Sequence, residues 1–164
     1  MSSVAVSRVA RFRAFPPSDR VALVQAAALL VLSRALLVTR RVSVRRVAAT
    51  VDRVCSWLPV PSTEAPTVDR LVWAVDVASR TVPVETTCLP RALTGSALLA
   101  RYGYASTLRI GVRREGGEFA AHAWVERDGR VVLGDLPDLE MFVPLPLDEL
   151  PGAWSDDRGA NRSR

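Results

Sequence analysis

One change of rhythm constrains this chain more than any single residue does. Up to Gly103 apolar residues recur every three or four positions, which lays them along one side of a helix. Beyond it they alternate, as in a half-buried strand. Helices come first and the sheet last, an α+β order. At 164 residues the expectation is one compact domain with a helical annex. Apolar residues make up 49% and charged residues 24%, too apolar for a disordered chain.

Local signals place the elements. Residues 1–17 are basic and without periodicity. "VALVQAAALLVLSRALLV", Val21 to Val38, is 18 residues long, at the lower edge for a bilayer span. Gln25, Ser33 and Arg34 interrupt it, and an arginine near a bilayer centre costs about 3 kcal/mol or more. "LSRALLVTRR" is a poor signal-peptidase site. The run therefore reads as a mostly buried helix over about 19–40, capped by Ser18, in a cytoplasmic protein. A second helix is expected within Arg40–Trp57, with Val47, Val51, Val54 and Cys55 on one side. "LPVPSTEAPT" reads as a linker. Thr67 caps a third helix whose Val68, Leu71, Val72, Val75 and Ala78 share a face; Pro83 stops it.

A fourth helix starts after Thr87, carries Pro90 in its first turn and ends at Gly103. "TLRIGV" follows as a strand and "RREGGE" as a turn. "EFAAHAWVE" and "RVVLGD" form a hairpin around Asp128-Gly129. "PDLEMFVPLPLDELPGAW" has too many prolines for regular structure, and residues 155–164 read as a disordered tail. There is no internal repeat. The expected division is 1–66, an N-terminal helical region; 67–154, the core; and 155–164, the tail.

Charge narrows the partners. Residues 1–82 hold 12 Arg against 5 acids, and residues 83–164 hold 10 Arg against 12. A basic first half suits an acidic peptide, a nucleic acid or an anionic lipid surface, or is simply a solvated face. No basic block carries interleaved aromatics, so nucleic acid is disfavoured. Two cysteines make no disulfide framework, and a single histidine without a C-x-x-C leaves zinc short of ligands. Neither a metal nor a cofactor is expected.

Chemistry converges on Cys88. At the first turn of its helix, the dipole and free N–H groups favour a thiolate. Counting outward from Arg127 opposite Arg130, the hairpin register sets His122 against Asp135, an arrangement that fixes an imidazole's tautomer. Thiolate, imidazole and carboxylate are the three roles that nucleophilic acyl transfer needs, with backbone N–H groups at the helix start as part of an oxyanion hole. The bland readings are a structural thiol, an ordinary strand histidine and a turn aspartate. Glu126 shares the His122 face but lies too far along to orient it, and Asp128 belongs to the turn. Cys55 reads as structural. Ser96 lies inside a helix, away from any nucleophile elbow. Trp124 shares the His122 face as a shield or as plain core.

The runs "CLPRALTGSALLARYGYASTLRIGV" and "FAAHAWVERDGRVVLGD" resemble the transglutaminase-like cysteine proteases that remove leader peptides in lasso-peptide biosynthesis. The likeness is close over about residues 84–136 and looser over the helix at 19–40. It implies a transglutaminase-like, papain-like core with Cys88 as nucleophile, His122 as general base then acid, and Asp135 as the orienting carboxylate. It also implies a precursor peptide as substrate, a small leader-binding recognition element as partner, and a separate cyclase acting next. Two other readings stand beside it: an acyltransferase passing the acyl group to an amine, and a non-catalytic peptide-binding scaffold.

Overall fold

The structure is a computed structural model that describes residues 12–39, 43–60, 65–84, 86–115 and 118–145. The expectations for the first eleven residues, the middle of the Pro/Ser-rich stretch, the end of the Pro-rich segment and the tail lie outside those residues. So does the centre of the "RREGGE" turn, whose Arg113–Glu115 and Glu118 are strand instead.

Among the described residues four long helices precede the sheet. α1 spans Pro17–Val38 and is capped by Pro16, so Ser18 is not its cap. Pro17 starts the helix earlier because its φ is already helical and its missing N–H has no acceptor there to miss. Ala22, Leu23, Ala26, Leu29 and Leu30 are buried. By length and composition α1 is long enough to cross a bilayer. Its inward face joins the core shared with the other three helices, but Val24, Ala28, Val31, Ala35 and Val38 are exposed, so the helix is not mostly buried as the sequence predicts. α2 spans Val44–Trp57 and begins later than expected, where Ser43 accepts from the Arg46 N–H. Val47, Val51 and Cys55 are buried at every fourth position, but Val54 falls beside that row and stays 39% exposed. α3, Val68–Thr81, is capped by Thr67 as expected, and buries Leu71, Ala74, Val75 and Ala78.

α4 spans Cys88–Arg101. Gly103, at φ +83°, ends it: its N–H bonds the Ala100 carbonyl at 3.1 Å and the Tyr104 N–H bonds Leu99 at 2.8 Å. That pair of bonds satisfies carbonyls the helix itself leaves open. The turn sends the chain into β1 beneath α4.

The antiparallel sheet has the order β3-β2-β1-β4, with β1 Thr107–Glu115, β2 Glu118–Arg127, β3 Arg130–Leu133 and β4 Val143–Leu145. Asp128 and Gly129 both have positive φ, the two-residue turn the sequence predicts. β4 corrects the expectation of an irregular Pro-rich end. It pairs with β1 at a sheet edge, with Pro144 opposite Gly111, where a residue lacking an N–H is tolerated. A short 3-10 turn, Leu139–Met141, precedes it.

The register corrects a second expectation. Glu126 pairs with Val131 but Val125 pairs with Leu133, so Val132 is an extra residue in β3. The one-residue slip means that Asp135 is not opposite His122. Carried past Leu133, the new register sets Asp135 against Ala123.

The two faces of the sheet are covered differently. Ala123, Val125 and Leu133 join the helical core. Gly95 lets α4 approach them closely, for a Cβ there would run into the Leu133 side chain. Trp124 and Phe142 are buried outside that core. They lie on the opposite face, where residues 134–142 cross from the β3 edge to β4.

Candidate active site

Cys88 is the first residue of α4, half-buried, with a free thiol. The first turn has N–H groups without helical acceptors, and Pro90, which has none to offer, sits there at no cost. Two links from α3 hold this helix start. Arg91 is ion-paired with Asp76, and the Thr86 hydroxyl donates to the Ser79 carbonyl at 2.9 Å.

His122 lies in β2 opposite Gly111. Its Nε2 is 2.7 Å from the Gly134 carbonyl. A carbonyl only accepts, so Nε2 carries the proton and Nδ1 is the nitrogen left with a lone pair. The ring stacks on Trp124 at 6.1 Å and 11°, and meets Phe142 at 5.6 Å and 53°. Both neighbours are themselves held. The Trp124 indole donates to Glu126 at 2.7 Å, and Arg109 donates to the other Glu126 oxygen at 3.0 Å. The indole bond, and then Arg109, keep the Glu126 carboxyl below the usual carboxylate range. Arg113 lies 4.9 Å over the Phe142 ring and is ion-paired with Asp138. Gly111 makes the arrangement possible, since a Cβ there would lie 2.8 Å from the Trp124 ring and 3.1 Å from Phe142.

The three residues singled out by sequence are therefore placed as follows. Cys88 opens the helix that packs on the Ala123 and Val125 face of β2; the His122 ring stacks on Trp124 on the other face of that strand; Asp135 follows β3 and is exposed. No hydrogen bond joins any two of them among the described residues. The acceptor expected from Asp135 is supplied by its neighbour, the Gly134 carbonyl. Phe142 and Asp138 escaped the sequence reading, since an irregular Pro-rich segment carries no periodicity to place a side chain, and Arg113 escaped it because "RREGGE" reads as a turn where β1 continues to Glu115. Gly134, at φ +83°, had a local signal in its Gly-Asp pair.

The other thiol is shut away. Cys55 is 1% exposed, its sulfur 3.6 Å from the Ala97 carbonyl, and burial pushes it up to about 11. A cavity of about 260 Å³ between α2 and α4 is lined by Asp52, Cys55 and Arg101 among others. Since it opens on this protonated thiol and not on Cys88, it is not where a cysteine reaction would run. Among the described residues no three His, Cys, Asp or Glu side chains converge to hold a metal ion.

A family model described as the transglutaminase-like superfamily matches residues 29–146 of the chain. No curated protein and no solved structure matches it at a significant level.

Proposed function

This chain belongs to the transglutaminase-like superfamily, and we propose that it is a cysteine peptidase that removes the leader from a lasso-peptide precursor. One observation carries the chemistry. The half-buried thiol opens the helix that packs on β2, the strand bearing the sole histidine, whose Nε2 meets the Gly134 carbonyl. The helix covers the Ala123 and Val125 face of that strand, and the imidazole stacks on Trp124 on the other. The finer identity, leader removal, rests on the likeness of the "CLPRAL" start and of the short distance from Cys88 to His122 to the leader peptidases, while "HAWVE" with its downstream Gly-Asp is common to transglutaminase-like domains.

In this reading His122 Nδ1 takes the thiol proton, and the Cys88 sulfur attacks the carbonyl at the leader–core junction. First-turn N–H groups of α4 face the oxyanion. Collapse breaks the peptide bond, and the imidazolium returns its proton to the departing core amine. Water, activated by His122, then hydrolyses the leader thioester. Asp135, next to the carbonyl that Nε2 meets, is the carboxylate assigned to steady the imidazolium. The reading requires sulfur and Nδ1 to meet in the substrate complex, a rearrangement larger than the tightening of a loose contact, since helix and imidazole lie on opposite faces of β2.

The partner is a leader-binding recognition element, and its docking surface is the outward stripe of α1. Val24, Ala28, Val31, Ala35 and Val38 are all exposed on one side of that helix, within the basic half of the chain. Amine capture in place of water gives the acyltransferase reading, which the family equally contains.

Incubation with a precursor and its recognition element, followed by mass spectrometry, is the test. Expected products are free leader acid and free core amine, both lost with Cys88→Ala. Release that survives that substitution sinks the proposal, and a new amide on the leader replaces it with acyl transfer.

A further inference from the structure

The geometry points to Glu126 as a positioning residue for His122, acting through Trp124: we propose that it holds the indole flat against the imidazole so that Nε2 stays on the Gly134 carbonyl and Nδ1 stays open. The inference deepens the peptidase reading, for it rests on His122 being the acid–base group.

A ring on a strand can turn about its last side-chain bond unless neighbours pack against it. Trp124 lies nearly parallel to the imidazole and Phe142 is tilted against it. The indole can itself turn, and its only polar atom is tied to Glu126 at 2.7 Å. Arg109 holds that carboxylate from the paired strand at 3.0 Å. The chain of contacts thus runs Arg109, Glu126, Trp124, His122, along one face of β1 and β2. On the Phe142 side the nearby charges are Arg113 and Asp138, paired with each other. Glu126 does not touch the imidazole in this arrangement, so its effect must pass through the indole.

With one histidine in the chain, isotope-labelled imidazole gives a single set of NMR signals, read on the free full-length protein. In the parent protein the Nε2–H proton should be visible, slowed in exchange by its bond to Gly134. Glu126→Leu should lose that resonance; Glu126→Gln, which still accepts from the indole, should keep it. Trp124→Phe keeps a wall but removes the indole N–H, so it should lose the resonance too, and adding Glu126→Leu to it should change nothing further. A Glu126→Leu protein that keeps the protected proton overturns the proposal. So does a Trp124→Phe protein that keeps it, which decides the matter should Glu126→Leu fail to fold. No substrate enters the measurement, so a failure of leader release leaves this result standing, and the reverse holds as well.

Discussion

Two thiols of one chain sit in opposite surroundings, and the difference is measurable. Cys55 is sealed between α2 and α4 and pushed from an ordinary value of 9.0 to about 11. Cys88 is half-buried at a helix start. Iodoacetamide on the native protein at pH 8 should leave one adduct, at Cys88, by peptide mapping; an adduct on Cys55 contradicts the burial described. Stability carries the same signature. A thiol whose value is raised in the folded state contributes below its unfolded value and loses that contribution as pH climbs through the folded one. Unfolding free energies from denaturant titration should therefore fall between pH 9 and 11 by up to about 2–3 kcal/mol from this group. Tyr102 is also raised by burial, so the comparison is with Cys55→Ala, whose deficit against the parent should narrow over that window. Gly134 is the other residue whose local chemistry decides much. Its φ is +83°, and a Cβ would lie 2.9 Å from the Ala123 carbonyl oxygen. Gly134→Ala should cost about 2–3 kcal/mol by thermal melting and displace the acceptor that His122 uses.

Among elements, what could be read in advance is what the chain decides locally. Thr67, Gly103 and the Asp128-Gly129 turn act within four residues of themselves, so the ends of α3 and α4 and the hairpin were legible. The Val132 bulge was not, because nothing within β3 asks for an extra residue. It arises where Leu133 must face α4 while Gly134 turns under Trp124. That slip also moved Asp135 off its expected place, so the pairing of the candidate residues was not legible. β4 was hidden in the same way, since an edge strand of three residues borrows its structure from β1. α1 and α3 supply a prediction of their own kind. Asp19 is buried and ion-paired with Arg70, whose guanidinium also lies 4.1 Å over the Trp73 ring. Arg70→Ala leaves a buried carboxylate alone, at a cost of about 2 kcal/mol or more. Asp19→Ala leaves only a half-exposed guanidinium, so it should cost less. Equal midpoints for the two variants in urea would contradict that asymmetry.

At the scale of the whole molecule, α1 has two apolar faces where a core helix needs one. The inner face meets α3 and α4; the outer face shows Val24 at 58%, Val31 at 42% and Val38 at 59% exposure. Its residues recur at alternating intervals of four and three, the seam of a helix that packs against another helix. Two copies meeting along it would set one basic half against another, so self-association is opposed by charge. A partner with an apolar helix face and acidic flanks meets both conditions, which is why the stripe is assigned to the recognition element. Val24→Asp with Val31→Asp should leave the thermal midpoint within about 1 kcal/mol of the parent, because both side chains already face water. The same pair should weaken binding of the recognition element at least tenfold in titration calorimetry, while the parent complex loosens as salt rises. Should the variant bind as tightly as the parent and lose adhesion to anionic vesicles instead, α1 is a lipid-facing helix and the partner docks elsewhere.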